Sequence, residues 1–187
     1  MSAKNTNSHL RVRMLCEGAM MVALAQVLSY IKLMELPNGG SLTPAMFPII
    51  LFAVRWGLTP GLMAGFTFGL LQLIFDGAYA WGWQSMLLDY LVAFMALGTA
   101  EFFARPFKNR MVGVAVGTAI AGFLRFMCSF LSGVLVWGNL NEGLSAWTYS
   151  LVYNASYMLP ETLLTVVAAV LLIKVAPQIF DRQYTKA

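Results

Sequence analysis

An all-α integral membrane protein, six helices in one compact bundle with both termini cytoplasmic, is the fold class this sequence predicts. Of the 187 residues, 59% are hydrophobic and 11% charged, where a soluble domain carries about 25% charged residues. The mean hydropathy is +0.72, and the apolar residues gather into membrane-length runs without the period-two alternation of barrel strands. The basic residues are also lopsided, falling almost entirely on one side of a six-helix arrangement.

The elements follow from the roughly 20 apolar residues that a helix needs to cross a bilayer. Residues 1–13 are polar and basic and are expected to form a cytoplasmic tail. The apolar run that follows is too long for the core of a cleavable leader. Helices are expected at about 14–34, 44–54, 58–75, 84–104, 111–136 and 148–175, in a single membrane domain spanning 1–187. The second is too short to cross unaided and must be tilted, broken or packed behind its neighbours.

With six helices, Lys4, Arg11, Arg13, Arg55, Arg105, Lys108, Arg110, Lys174, Arg182 and Lys186 share one side. The other side receives Lys32, with Glu35, Asp76 and Glu142. This distribution places both termini in the cytoplasm. The formal charge of +4 is therefore a topology signal, and nothing resembles the basic-plus-aromatic surface of a nucleic-acid binder. Three outer connections result: 36–43 with Gly39 and Gly40, the aromatic stretch 76–83, and 138–143.

Absences exclude most catalytic classes. The one histidine, His9, lies in the polar tail, which removes intramembrane histidine triads and metal clusters. Cys16 and Cys128 read as small apolar packing residues. No glycine-rich phosphate loop with its Lys-Ser/Thr is present, so the chain does not bind and hydrolyse ATP by itself. Asn154-Ala-Ser156 matches a glycosylation sequon but starts inside the sixth helix.

The ionisable residues within apolar segments are Glu17, Asp89, Glu101, Arg125 and Glu161. Glu17 and Glu101 lie about a turn from the cytoplasmic boundary, where snorkelling and a structural role are expected. Glu161 follows Pro160 and either satisfies backbone groups freed by the kink or pairs with a cation. Asp89 is the anomaly, because a carboxylate in hydrocarbon costs about 2.5–3.5 kcal/mol even on lenient scales. Either Arg125 neutralises it or it faces a ligand, and the two readings are compatible.

The surroundings favour a ligand. Arg125, Ser129 and Ser132 or Gly133 recur at helical spacing on one face of the fifth helix, with Trp137 a turn further out. Tyr149 and Tyr153 share a face of the sixth helix, beside Asn154. Tyr79, Trp81 and Trp83 come from the second outer loop. A carboxylate, several rings and a few neutral hydrogen-bonding groups suit a flat, partly cationic organic molecule. An interfacial aromatic belt is the alternative for the rings alone, and the better one for Trp147 and one of Trp81 or Trp83.

Small residues four apart recur in Ala19 and Ala23, in Gly61, Gly65 and Gly69, and in Gly113, Gly117 and Ala121. Such stripes let helices approach closely in lipid. Those of the third and fifth helices are expected to pack within the chain, and that of the first to dock on another protein.

Glu17-Gly-Ala-Met-Met-Val-Ala23 resembles the Ala-x-x-x-Ala signature of the substrate-binding S-components of energy-coupling factor (ECF) vitamin transporters. Arg55-Trp-Gly-Leu-Thr-Pro-Gly-Leu-Met-Ala-Gly65, Leu88-Asp-Tyr-Leu-Val-Ala-Phe94 and Tyr149-Ser-Leu-Val-Tyr-Asn154 resemble the thiamine-specific branch, in order and over nearly the whole chain. The resemblance implies a thiamine-binding subunit of the bacterial cell membrane, without enzymatic activity or cofactor. Its partners would be a membrane coupling subunit, contacted by Ala19 and Ala23, and two cytoplasmic ATPases. It further implies that Asp89 stands at an acidic ligand position, usually Glu, followed by Tyr90. Trp137 falls at a stacking tryptophan, Tyr149 and Asn154 at ligand positions, and Tyr79 at an outer-loop tyrosine. Arg125 replaces a basic residue. Ser129 stands where a histidine is common, and the family tryptophan of the first outer loop has no counterpart in 36–43.

The expected activity is capture of thiamine, a precursor of it or another heteroaromatic vitamin, gated by the Gly39-Gly40 loop. A secondary carrier acting alone is the second class, although no pair of broken helices marks an internal repeat. An intramembrane enzyme using Asp89 and Glu161 is the third, and the two carboxylates specify no reaction.

Overall fold

A computed structural model describes residues 2–37, 39–77, 80, 82–136 and 145–183, with side chains from Ser8 onward. Six helices build the fold: α1 (Ser2–Ser29), α2 (Met46–Trp56), α3 (Leu58–Asp76), α4 (Gly82–Ala104), α5 (Arg110–Val136) and α6 (Ala146–Val175). Among the described residues, five helices are long and apolar enough to cross a membrane, α2 being the exception. Its 11 residues rise only about 16 Å, half a hydrocarbon core. Nearly all of α2 is buried, from Met46 through Trp56, so it is a central pillar enclosed by its neighbours. Outward-facing Leu15, Met63, Ile74, Leu163 and Leu171 are exposed, a distribution that belongs against lipid and would be an anomalous patch in water.

The first helix departs from expectation at both ends. The stretch 1–13, expected as a polar tail, is helical from Ser2, because no glycine or proline interrupts it before Gly18. The helix stops at Ser29, short of the expected residue 34, because the chain turns into a two-stranded hairpin. Strand β1 (Met34–Glu35) pairs antiparallel with β2 (Ser41–Leu42), Met34 opposite Leu42. Gly39, at φ 87°, adopts a left-handed conformation that side-chain-bearing residues avoid, and its N–H donates to the Leu36 carbonyl. The described residues of the expected loop thus belong to a β-hairpin.

The glycine stripes set the helix spacing. A Cβ on Gly65 would collide with the Phe94 carbonyl and one on Gly69 with the Tyr90 carbonyl, which brings α3 directly against the α4 backbone. Gly113 and Gly117 lie equally close to Ala104 and Ala100. In lipid, where apolar surface gains nothing by leaving the solvent, such close approach supplies the packing attraction. Where α3 presses upon it, α4 is irregular: Met86–Val92 forms a π-helical turn, of the kind often found at functional sites.

The end of the bundle where α1 begins and α6 ends is closed by a clasp. After α6 a short 3₁₀ turn, Pro177–Phe180, folds back and buries Phe180. Arg55 Nη1 donates to the Ile179 carbonyl at 2.9 Å, and Arg110 Nη2 to those of Val54 (2.8 Å) and Phe180 (2.9 Å). Glu101 does not snorkel as expected. It is buried beneath two guanidinium groups, accepting from Arg110 Nη1 at 2.8 Å and Arg182 Nε at 2.7 Å. Glu17 also stays within the protein, meeting Arg55 and, at 3.9 Å, Arg13.

Candidate ligand-binding site

At the hairpin end, α3, α4, α5, α6 and the hairpin enclose a cavity of about 120 Å³. Of the expected site residues, Asp89, Tyr90, Arg125, Ser129, Tyr149, Tyr153 and Asn154 line it, together with Gly39 and Gly40. Tyr79 and Trp137 lie outside the described residues. Ala19 and Ala23 are away from the cavity, exposed on α1. Trp147 and Trp83 face outward, 60% and 69% exposed, as belt residues do.

Asp89 sits within the π-helical turn of α4 and is held by serines from two helices. Ser85 Oγ, one turn before it, donates to Oδ2 at 2.8 Å. Ser132 Oγ of α5 donates to the same oxygen. Both serines are buried, so two fixed dipoles replace the water that this carboxylate would otherwise need.

Arg125 does not pair with Asp89. Its Nη1 donates to Glu161 Oε2 at 2.6 Å, and its guanidinium carbon stands 4.6 Å from the Phe94 ring centroid. Glu161, 1% exposed, also accepts from Thr43 Oγ1 at 3.1 Å. Of the two readings of Asp89, neutralisation by Arg125 does not hold: that cation is committed to α6, and Thr43 ties its pair with Glu161 to the chain just beyond β2. Asp76, at the end of α3, adds a second carboxylate to the lining. Among the described residues, the charged side chains lining the cavity are therefore Asp89, Asp76 and an arginine whose charge is already answered by Glu161.

Aromatic rings form one wall. Tyr149 and Tyr153 stack with centroids 5.8 Å apart, and Tyr153 meets Tyr157 edge-on at 5.8 Å. The spacing of four residues along α6 produces this ladder. Asn154 aligns it: its Nδ2 donates to the Ser150 and Ser129 carbonyls, at 2.9 and 3.3 Å, while its Oδ1 accepts from Tyr157 Oη at 3.1 Å. Tyr90 Oη donates to the Asp76 carbonyl at 3.1 Å, joining α4 to α3.

The hairpin forms the lid of this wall. Gly40 N–H donates to Tyr153 Oη at 2.9 Å. A Cβ on Gly40 would lie 2.8 Å from that oxygen and from the Tyr157 ring, so only glycine lets the backbone come this close. Gln72, Ser85, Phe94, Ser150 and Tyr157 also line the cavity and were not singled out from sequence. For Tyr157 the signal was present, since it continues the spacing of Tyr149 and Tyr153; Gln72 was an uncommon polar residue in an apolar helix. Among the described residues no group of three or more His, Cys, Asp or Glu could hold a metal.

The family model described as thiamine transporter protein matches residues 15–181. The chain is 33% identical to the thiamine transporter ThiT of Bacillus subtilis over 177 residues, covering 88% of this chain and 92% of the relative. It is also 33% identical to ThiT of Lacticaseibacillus paracasei over 188 aligned positions, with 92% of each chain covered. The solved structure of ThiT from Listeria monocytogenes superposes with a TM-score of 0.80 at 27% identity, covering 91% of this chain and 98% of the other. The S component of a bacterial ECF transporter shares the fold, with a TM-score of 0.65 at 17% identity and 92% and 99% coverage.

Proposed function

Because this chain belongs to the thiamine transporter protein family, a family of multi-pass, non-enzymatic proteins of the bacterial cell membrane, we propose that it is the substrate-binding subunit of an ECF-type importer, taking thiamine into the cavity beneath the hairpin. The observation that carries this reading is the unbalanced charge of the cavity. Asp89 and Asp76 line it, while Arg125 is neutralised by Glu161. Thiamine, with a permanently cationic thiazolium ring and an aminopyrimidine, supplies the missing positive charge and flat faces for the tyrosine wall. Asp89, pre-oriented by Ser85 and Ser132, recognises the polarised end of the ligand, and Tyr90, Tyr149, Tyr153 and Asn154 shape the remainder. Arg125 and Ser129 complete the floor, and Tyr79 and Trp137, at positions the family resemblance assigns to the ligand, add further rings. The shorter Asp89 side chain suits this frame, since it reaches serines on both α4 and α5.

The hairpin with Gly39 and Gly40 is the gate, held shut through Tyr153. The basic end of the bundle faces the cytoplasm, so the cavity takes ligand from outside. Energy comes from partners: Ala19 and Ala23, exposed on α1, dock on a membrane coupling subunit driven by two cytoplasmic ATPases. Reconstitution in lipid vesicles tests this assembly. Labelled thiamine is expected to accumulate only with the coupling subunit, both ATPases and ATP present. Accumulation by this chain alone under a proton or sodium gradient would make it a secondary carrier and overturn the proposal.

A further inference from the structure

Gln72 has no place in the recognition scheme so far, yet it is 7% exposed and lines the cavity. A carboxamide within an apolar helix requires partners for both its ends. Its Nε2 has one, donating to Gln26 Oε1 of α1 at 3.1 Å. Gln26 Nε2 in turn donates to Tyr30 Oη at 3.2 Å. With the nitrogen of Gln26 engaged there, its oxygen is what faces Gln72. The Gln72 nitrogen is thus turned toward α1, and no hydrogen bond to its carbonyl oxygen, the other end of this cavity-lining amide, is found among the described residues. Asp76, one turn further along α3, lines the same wall.

We infer that Gln72 is a ligand-positioning residue, its side-chain carbonyl accepting a hydrogen bond from an N–H or O–H group of the bound ligand, with Gln26 locking the amide in that orientation. The inference rests on the reading of the cavity as a thiamine site. Thiamine offers two such donors, the amino group on its pyrimidine and the hydroxyl on its side chain. An acceptor with no internal partner discriminates against ligands lacking the matching donor, because such a ligand covers the carbonyl without answering it. The position of Gln26 on α1 makes that helix part of the site without its touching ligand.

Titration calorimetry on the full-length chain in detergent tests this with three probes: thiamine, thiamine whose amino group is replaced by oxygen, and thiamine lacking the hydroxyl. Gln72→Leu is expected to weaken thiamine binding about tenfold and to erase that much of the preference over one analogue while keeping the preference over the other. Gln26→Met, outside the cavity, is expected to reduce the same preference about threefold, and to add nothing in the Gln72→Leu background. Both preferences unchanged in Gln72→Leu, or an equal loss for all three probes, overturns the inference. Should Gln72→Leu fail to fold, an unchanged preference in Gln26→Met overturns it. A parent chain that binds none of the probes overturns the thiamine reading and this inference together, whereas a parent that binds thiamine while Gln72→Leu matches it removes this inference alone.

Discussion

Arg125 shows how far a single residue can be read before its neighbours are known. From sequence it was one cation in a membrane with two available carboxylates, Asp89 and Glu161, and nothing in helical spacing chooses between them. The packing of α5 on α6 decides, setting the guanidinium 2.6 Å from Glu161 and leaving Asp89 to serines. Asp89 itself was legible, because a charge in apolar sequence has few explanations. Gln72 was less so, since an uncharged amide raises less notice than a carboxylate in the same setting. The pair predicts an asymmetry in stability. Arg125→Met leaves Glu161 buried and unpaired and should lower unfolding stability by about 3–5 kcal/mol. Replacing both residues with methionine should recover most of that loss, because two apolar side chains replace two costly charges. Thermal unfolding in detergent without ligand checks this, and a double variant no better than the single one would contradict it.

At the level of elements, apolar length announced a helical membrane fold, because only a helix satisfies its own backbone across hydrocarbon, but it misplaced both ends of α1. What apolar length does not encode is where backbone groups are satisfied otherwise. The β1–β2 hairpin, the π-helical turn of α4 and the buried course of α2 all depend on neighbours distant in sequence. The hairpin contact is small but specific, one Gly40 N–H on one tyrosine oxygen. Tyr153→Phe keeps the ring ladder and removes the acceptor. It should speed thiamine dissociation about three- to tenfold while altering association less, as loss of a single contact usually acts on the off-rate. Stopped-flow kinetics on the purified protein measures both rates, and an unchanged dissociation rate would remove Tyr153 from gating.

Across the whole molecule, the two ends have opposite chemistry. The hairpin end carries the cavity and the Lys32–Glu35 pair at 2.7 Å. The other carries the clasp, where Glu101 gathers Arg110 and Arg182 while Arg55 and Arg110 hold the chain beyond α6. The basic residues of that end were legible in sequence as a topology signal. Their second use, fixing the last turn of the chain over the bundle, was not, because it requires Glu101 to be buried where snorkelling was the simpler expectation. Orientation is tested in cells with Cys16 and Cys128 replaced by alanine. Glu35→Cys should react with a membrane-impermeant maleimide in intact cells, and Lys108→Cys only after permeabilisation. The reverse pattern would invert the topology.

The central claim is that a carboxylate within a membrane-spanning helix, held by Ser85 and Ser132, recognises thiamine as a charge. Calorimetric titration of thiamine into purified parent and Asp89→Asn proteins measures it most directly. The account predicts one-to-one binding by the parent and affinity at least about tenfold weaker in the variant, a loss equivalent to about 1.4 kcal/mol, with the fold intact by circular dichroism. Equal affinities in the two proteins would contradict it.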